Sequence, residues 1–348
     1  MKILDTTIRD GSYAINFNYT CKDVMEICKR LEKLNIEYVE IGHGQGLNAS
    51  SMEHGMALHT DLEYLLAAKS ASNKIKIGFF CIPGIARIDD LDLLSEHGGD
   101  FVRIGIAADE IEKAIPFIQH AKSVGLVPMV NFMKSYTCTP EQLAESSMIA
   151  ASNGAEIVYI VDSAGCMLQN DIASFYNEIR KKTSVKIGFH GHNNLGLAVA
   201  NSVFCADIGF DFIDTSFQGL GRSLGNASTE QTIMSLMKKG YQLDVDIPRL
   251  LEYGYVSIRD LGIHNVQNPL DLICGYAGFH SSFLKYIYKC CNEKKVDPLR
   301  LILAYTSNNK KTMDYEELCK VAETLPVDKD DNPYKFDDYY AMKFEGVL

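Results

Sequence analysis

The sequence predicts an α/β protein, a closed (β/α)8 or TIM barrel followed by a helical C-terminal domain. Up to about residue 240 of the 348-residue chain, short apolar runs alternate with amphipathic helical stretches. Eight apolar runs separated by helices are typical of a parallel sheet that closes on itself. Beyond that point the alternation stops and only helical patterns remain.

The predicted strands are apolar runs that a barrel would bury. They cover Lys2–Thr6, Tyr38–Ile41, Ile75–Phe80, Phe101–Ile106, Val127–Phe132, Ile157–Val161, Val185–Phe189 and Phe212–Thr215. We expect both faces of these strands to be apolar, because helices cover the outside of a parallel barrel. An open doubly wound sheet is the alternative, but it would have a glycine fingerprint after a strand, and none is present there.

Helical periodicity fills the intervals between the predicted strands. In the barrel region the helical stretches include Lys22–Leu34, Asp61–Lys69, Asp109–Val124, Pro140–Ser152, Asp171–Lys182 and Ala198–Ile208. Further stretches, with no strands between them, are Ile247–Leu261, Phe283–Asn292, Pro298–Ala304 and Met313–Thr324. We therefore predict a barrel domain over residues 1–240, a helical domain over 241–325 and an acidic, aromatic tail over 326–348.

The composition favours a cytoplasmic protein that binds neither nucleic acid nor membrane. The net charge is −11, which repels phosphate backbones and anionic lipid surfaces. No apolar run reaches the roughly 20 residues that span a bilayer, and the strand predicted at Lys2 leaves no room for a signal peptide. The ten cysteines form no CxxC pair, so we expect free thiols in a reducing compartment.

Three side chains near predicted strand ends have the donor types of a divalent metal site. His190 and His192 are two residues apart at the end of one run, so both rings can point to the same side. Asp10 lies just beyond the first run. If the two strands are neighbours, the three donors meet where barrel active sites lie. Nitrogen and oxygen ligands with open positions favour Mn²⁺, Mg²⁺ or Co²⁺, and Zn²⁺ is a further candidate.

Arg9 is a candidate for binding an anionic substrate. It precedes Asp10, so in a regular strand the two side chains would face opposite ways, whereas a turn at Gly11 would bring both to the rim. The guanidinium could then hold a carboxylate or an enolate oxygen. The alternative is a salt bridge at the barrel mouth.

Two glycine-rich loops contain further candidates. His43 follows the second predicted strand, where it either contacts substrate or makes a hydrogen bond within the barrel. Asn226 ends the loop over residues 219–226, which follows the eighth strand. Asn226 could orient a metal ligand, or the loop could be only a tight turn before the next helix.

These motifs together resemble those of the 4-hydroxy-2-oxovalerate aldolases, metal-dependent pyruvate aldolases of the HMG-CoA lyase-like group of TIM-barrel metallolyases. The matching stretches are Asp5–Ser12, Glu40–Leu47, His59–Tyr64, Val161–Gly165, His190–Leu195, Gly219–Asn226 and Gly275–Phe283. They span roughly residues 3 to 325 and include the helical domain. Acyl-CoA-condensing relatives share the barrel and the metal site but do not usually carry the Gly-Tyr-Ala-Gly segment.

The resemblance implies an aldolase that cleaves or forms a 4-hydroxy-2-oxo acid through a metal-stabilised pyruvate enolate. Asp10, His190 and His192 would bind the ion, with Mn²⁺ favoured. Arg9 would stabilise the enolate, and Ser163 would contact the pyruvate carboxylate. The substrates would be a 2-oxo acid and an aldehyde. Family members pair with an acylating aldehyde dehydrogenase, but the altered site and the added tail favour a homodimer here.

Two positions depart from the family pattern in a reciprocal way. After Arg-Asp-Gly-Ser the family has its catalytic His, and this chain has Tyr13. Two residues after the last Gly of Gly-Tyr-Ala-Gly the family has Tyr, and this chain has His280. We expect the pair to be retained in exchanged positions. His280 would be the base, since the pKa of a free His side chain is about 6.5. Tyr13 would be a neutral hydrogen-bond donor.

Other functions would use the same residues. A Claisen-type acyltransferase or a 2-oxo acid decarboxylase would pass through the same enolate, and dependence on CoA separates the acyltransferase from the aldolase. A non-catalytic barrel scaffold is a second class, and the intact Arg9, Asp10 and histidine pair argue against it. An Fe(II) oxygenase also uses two His and a carboxylate, but the parallel-barrel pattern disfavours it.

Overall fold

Eight parallel strands close into a barrel in the computed structural model, which describes residues 1–263, 267–308 and 313–328. The strands pair in chain order, and the eighth closes on the first. They are β1 (Lys2–Asp5), β2 (Tyr38–Ile41), β3 (Lys76–Cys81), β4 (Phe101–Ile106), β5 (Val127–Phe132), β6 (Ile157–Asp162), β7 (Lys186–Gly191) and β8 (Phe212–Thr215). The predicted (β/α)8 barrel is confirmed.

Helices alternate with these strands. They are α1 (Cys21–Lys33), α2 (Asp61–Ala71), α3 (Asp89–Glu96), α4 (Ile115–Ser123), α5 (Pro140–Ser152), α6 (Gln169–Lys182), α7 (Ala198–Ile208) and α8 (Thr229–Lys238). In α1, α2 and α5 a threonine before the first turn forms a capping box with the third helical residue. These caps satisfy backbone N–H groups and fix where each helix begins.

Two helices differ from the sequence expectations. The predicted helix over 109–124 is divided into a 3₁₀ helix, Ala108–Lys113, and α4. Pro116 accounts for the break, because proline cannot donate a helical hydrogen bond and restricts the residue before it. The short helix α3 was not among the predicted helical stretches, and the three acidic residues in its first turn favour its N-terminus.

The chain divides into two compact units, with the division after Thr232. The second unit contains α9 (Ile247–Arg259), α10 (Pro269–Ala277), α11 (Leu284–Lys294), α12 (Pro298–Asn308) and α13 (Tyr315–Ala322). The helical C-terminal region is confirmed, and α10 is an addition to it, with Asn268 as its cap and proline in its first turn. The predicted boundary at residue 240 stays a prediction. Residues 329–348 of the predicted tail lie outside the described residues.

The described segments contain no helix with the length and apolar character needed to cross a membrane.

A buried guanidinium occupies the interior of the barrel. Arg103 on β4 is fully buried and forms ion pairs with Glu40 on β2, at 2.9 Å, and with Asp214 on β8. Its Nε donates to Asn131 Oδ1 on β5 at 3.2 Å. The expectation that both faces of the strands are apolar is therefore wrong for the interior. Burial of these charges is tolerated because each carboxylate is paired with the guanidinium of Arg103.

An apolar layer lies one step before this polar layer along the strands. Phe101 and Phe212 precede Arg103 and Asp214 by two residues, so each pair shares a face of its strand. Glycine makes room for the aromatic rings: a Cβ atom at Gly78 would lie 2.2 Å from the Phe101 ring. The interior thus consists of stacked layers, apolar first and charged next, towards the carboxyl ends of the strands.

Arg103→Met should lower the free energy of unfolding by about 3–5 kcal/mol, because it leaves two buried carboxylates without their shared cation. Urea denaturation of the purified protein measures this change. Arg87→Met is the matched control, since Arg87 is exposed and its ion pair with Asp90 contributes about 0–1 kcal/mol. Equal effects of the two substitutions would contradict a structural role for the buried network.

Candidate active site and metal centre

Three side chains bring their donor atoms together at the carboxyl end of the barrel. Asp10, His190 and His192 are buried, and one ligand atom from each lies within 4.8 Å of the others. His190 belongs to β7, and His192 is the first residue after this strand. Asp10 begins a 3₁₀ helix after β1. The two strands are not neighbours, because β8 pairs with both of them, but their ends still converge.

The two histidines are oriented by acceptors behind them. His190 Nδ1 lies 2.9 Å from Asp214 Oδ2, and His192 Nδ1 lies 3.3 Å from the Gly225 carbonyl. Donation from each Nδ1 leaves Nε2 as the lone-pair nitrogen, which is the usual arrangement of a metal-binding His. Burial lowers the pKa of His192 to about 4, so its ring is neutral at physiological pH.

Asp10 is held as a carboxylate. Arg9 Nη1 donates to its Oδ1 at 2.7 Å, and Asn226 Nδ2 donates to its Oδ2 at 2.8 Å. The backbone N–H of Arg222 adds a weaker bond to the same oxygen at 3.2 Å. Burial alone would raise the pKa of Asp10, but the adjacent Arg9 charge, the histidines and the Asn226 bond lower it well below its usual range.

The site fits a divalent cation. Two imidazole nitrogens and one carboxylate oxygen are donors that Mn²⁺, Mg²⁺, Co²⁺ and Zn²⁺ accept. The backbones of Asn226 and His192 form a β-bridge, and the buried Oδ1 of Asn226 has no hydrogen-bond partner among the described residues. A buried amide oxygen is rarely left unsatisfied, so this atom is available to an ion or to a ligand beside it.

Arg9 lies on the same side of the chain as Asp10. The backbone leaves β1 before Arg9, whose helical φ and ψ of −71° and −65° turn it into the 3₁₀ helix. Its Nε binds Glu40 at 2.7 Å, and its guanidinium lies 4.8 Å from the Phe80 ring centroid. The salt bridge considered from the sequence is therefore present. Nη2 makes no hydrogen bond within the described residues and stays available to an anion.

Tyr13 and His43 both contact the aromatic ring of Phe17. The Phe17 ring stacks on His43 at 4.0 Å and meets Tyr13 edge-on at 5.2 Å. Gly44 passes so close that a Cβ atom there would lie 2.5 Å from the Tyr13 ring. His43 is buried and accepts a hydrogen bond from the Gln45 backbone, as one of the two sequence alternatives expected. A substrate contact of His43 remains a prediction.

The other two predicted residues, Ser163 and His280, make local hydrogen bonds. Ser163 lies in the loop after β6, where its Oγ accepts a hydrogen bond from the Lys134 N–H at 3.0 Å. His280 is exposed in the second compact unit, with Nδ1 2.8 Å from Ser282 Oγ. The proposed pairing of His280 with Tyr13 stays a prediction.

Sequence reasoning missed the residues that position the site. Asp214 holds His190, Glu40 holds Arg9, and Arg103 joins the two carboxylates. The available signal was a single charged residue inside each of three otherwise apolar strand segments. In a strand such a residue must face either the barrel interior or the surrounding helices, and here it faces inward.

The barrel and its buried donor cluster define a TIM-barrel protein with a possible metal site. Comparison with known families agrees, because the HMGL-like family model matches residues 1–256. The chain belongs to the HMGL-like family.

Relatives include enzymes with two activities. The chain is 40% identical over 250 residues to an oxaloacetate decarboxylase of Mycobacterium tuberculosis, covering 72% of this chain and 74% of that protein. It is 33% identical over 303 residues to a 4-hydroxy-2-oxovalerate aldolase of Moorella thermoacetica, covering 86% and 89%. A hydroxymethylglutaryl-CoA lyase structure from Pseudomonas aeruginosa has a TM-score of 0.67 at 16% identity, covering 79% and 97%, which shows the fold alone.

Asp10→Asn should weaken Mn²⁺ binding by at least about tenfold, because it removes the one anionic ligand of the three. Titration followed by electron paramagnetic resonance of free Mn²⁺ measures the affinity. Asp109→Asn is the matched control, since Asp109 is exposed in the 3₁₀ helix Ala108–Lys113. Unaltered Mn²⁺ affinity in Asp10→Asn would exclude this residue as a ligand.

Asp214→Asn should weaken Mn²⁺ binding about 10- to 100-fold although Asp214 is outside the donor set. The substitution removes the carboxylate that orients His190, which costs affinity without deleting a ligand. The same titration measures it. Because Asp214 also pairs with Arg103, urea denaturation should accompany the measurement, and a folded variant with wild-type affinity would refute the orienting role.

Proposed function

We propose that this protein is a divalent-metal-dependent pyruvate aldolase, a carbon–carbon lyase that cleaves or forms a 4-hydroxy-2-oxo acid. The observation that carries the proposal is the Arg9 guanidinium, held 2.7 Å from Asp10 beside two histidine donors. A candidate cation site and a fixed guanidinium, side by side and both buried, suit an enolate, whose negative charge develops on oxygen.

We assign the proposed metal ion, Arg9 and Ser163 different roles in binding and activating the 2-oxo acid. The bound ion, which we propose is Mn²⁺, would polarise the 2-oxo acid and lower the pKa of its C3 protons. Arg9 would donate from Nη2 to the oxygen that becomes negative. Ser163 would contact the pyruvate carboxylate. The site is buried, so water is excluded and these charge interactions are strengthened.

The exchanged pair would handle the hydroxyl at C4. Burial raises the pKa of Tyr13, so its phenol stays protonated near neutral pH and can donate to the substrate oxygen. His280 would accept the hydroxyl proton as the carbon–carbon bond breaks. Since the two residues belong to different compact units, the pairing is inferred from the reciprocal sequence exchange.

A 2-oxo acid decarboxylase is the second candidate, because the M. tuberculosis relative named oxaloacetate decarboxylase is 40% identical. We favour the aldolase because similarity to the M. thermoacetica aldolase extends over 303 residues against 250 for the decarboxylase. Loss of CO2 needs no base for a hydroxyl proton. Decarboxylation would therefore not require His280 as a base.

We also propose a homodimer in the cytoplasm. The ten cysteines are free, which suits a reducing compartment. An acylating aldehyde dehydrogenase is a further partner that the resemblance implies. Size measurement at several concentrations tests the dimer, and a strict monomer throughout would refute it.

The proposed activity is tested in two steps. Mass spectrometry should detect deuterium entering the methyl group of pyruvate in D2O with Mn²⁺ and the protein, and a chelator should abolish the exchange. Cleavage of 4-hydroxy-2-oxopentanoate and decarboxylation of oxaloacetate are then compared, with and without CoA. Faster decarboxylation would favour the second candidate, and a requirement for CoA would favour an acyltransferase. No exchange in metal-loaded protein would refute enolate chemistry.

His280→Ala should slow aldol cleavage about 10²- to 10⁴-fold, the usual effect of losing a general base, while pyruvate deuterium exchange declines less. Tyr13→Phe should cost less, because it removes one hydrogen bond. His97→Ala is the matched control, since His97 is exposed and its Nδ1 lies 2.9 Å from the carbonyl oxygen of Leu93. If His280→Ala keeps the full rate and the wild-type pH profile, His280 is not the base.

A further inference from the structure

Arg222 is a cation beside the metal site that has no role in the buried network. It lies in the loop over residues 219–226 after β8, and its side chain is exposed. Its guanidinium lies 5.3 Å from the Tyr13 ring centroid. It forms no ion pair with a carboxylate in the described part of the chain. Its backbone N–H donates to Asp10 and so links this residue to the site.

The loop holds Arg222 in a defined place. Gly225 N–H donates to the Arg222 carbonyl at 3.0 Å, and Asn226 N–H donates to the Gly219 carbonyl at 2.9 Å. A Cβ atom at Gly221 would lie 2.7 Å from Asp10 Oδ2, so the backbone before Arg222 is pressed against this carboxylate. Arg222 is thereby fixed to the mouth of the site through main-chain contacts.

When the charges of the site are counted, the positive charge of Arg222 lacks a balancing negative charge. Hydrogen bonds and ion pairs join three carboxylates and two guanidiniums: Asp10, Glu40, Asp214, Arg9 and Arg103. Their sum, 2 − 3, is −1, a divalent ion brings it to +1, and one 2-oxo acid carboxylate brings it to zero. Arg222 then adds one positive charge at the mouth, which a second carboxylate of the substrate would balance.

We infer that Arg222 binds a carboxylate at the far end of the substrate, so that the site prefers a 4-hydroxy-2-oxo dicarboxylate. This inference rests on the proposed aldolase function. The position agrees with the proposed role of Tyr13. A phenol that donates to the C4 hydroxyl, with a guanidinium over its ring, places the cation near a carboxylate attached to C4. Arginine suits this task because its planar fork matches both carboxylate oxygens.

The reaction of such a substrate balances without a further reactant. The C3–C4 bond breaks, and its electron pair stays on the pyruvate fragment as the enolate. The proton leaves the C4 hydroxyl for the base, and the C4–O bond becomes the carbonyl of an aldehyde that carries the second carboxylate. The enolate then takes one proton at C3 to give pyruvate. Arg222 would hold the carboxylate of the aldehyde fragment throughout.

Binding of matched, non-cleavable acids tests the contact directly. Calorimetry of the Mn²⁺-loaded protein compares 2-oxopentanedioate with 2-oxopentanoate, which differ only by a carboxylate in place of the terminal methyl. We expect the dicarboxylate to bind about 10- to 100-fold more tightly, the range for a hydrogen bond to a charged group. Arg222→Gln should remove this advantage and Arg222→Lys should keep part of it. Arg87→Gln, at an exposed Arg in the loop after β3, should keep all of it.

Turnover gives the second readout. The ratio of kcat/KM for 4-hydroxy-2-oxopentanedioate to that for 4-hydroxy-2-oxopentanoate should exceed one in the wild type and fall about 10- to 100-fold in Arg222→Gln. Each ratio is measured on one preparation, so a partly unfolded variant does not distort it. Pyruvate deuterium exchange separates the two proposals. Exchange with an unchanged ratio refutes the role of Arg222 alone, whereas no exchange refutes the aldolase function and this inference with it.

Discussion

The ion pairs of the buried Arg103 are the interaction on which the site depends. This one guanidinium binds Glu40 on one side and Asp214 on the other, in an interior that water does not reach. An unpaired charge there would cost several kcal/mol, about 3–5 by analogy with other broken buried pairs, so both carboxylates are held in place. Glu40 then fixes Arg9, and Asp214 fixes the ring of His190. A candidate metal ligand and the group that we propose binds an anion are thus oriented by the same cation.

The layered interior explains why this network sits where it does. Side chains two residues apart on a strand share a face, so the aromatic layer and the charged layer are successive steps along the same strands. The apolar layer gains stability from burial, whereas the charged layer gains it only when its partners are complete. The polar step comes at the carboxyl ends of the strands, next to loops that can admit a ligand. The donor atoms therefore lie at the boundary between a rigid core and an open mouth.

In the proposed function, residues at the strand ends and residues beyond the strands contact different parts of the substrate. The strand ends present the cation donors and Arg9, which suit the 2-oxo acid common to aldol cleavage and decarboxylation. Tyr13 lies in the 3₁₀ helix after β1, and His43 and Arg222 lie in loops beyond the strands, where barrels of this kind vary their side chains. Our proposals about Tyr13 and about the second carboxylate both concern these segments. Function is thus argued from the site, since the fold alone is compatible with several reactions.

The sequence by itself determined the eight strands, most of the helices, and the donors Asp10, His190 and His192. These features follow from local signals, the periodicity of apolar residues and the two-residue spacing of the histidines, which involve only a few neighbouring residues. Only the tertiary structure decided that β8 separates the strands carrying these donors, and that Glu40, Arg103 and Asp214 face inward. A lone charge within an apolar strand does not reveal its partners. Glu40 and Arg103 are 63 residues apart, and Arg103 and Asp214 are 111 apart, so their pairing exists only after the barrel closes.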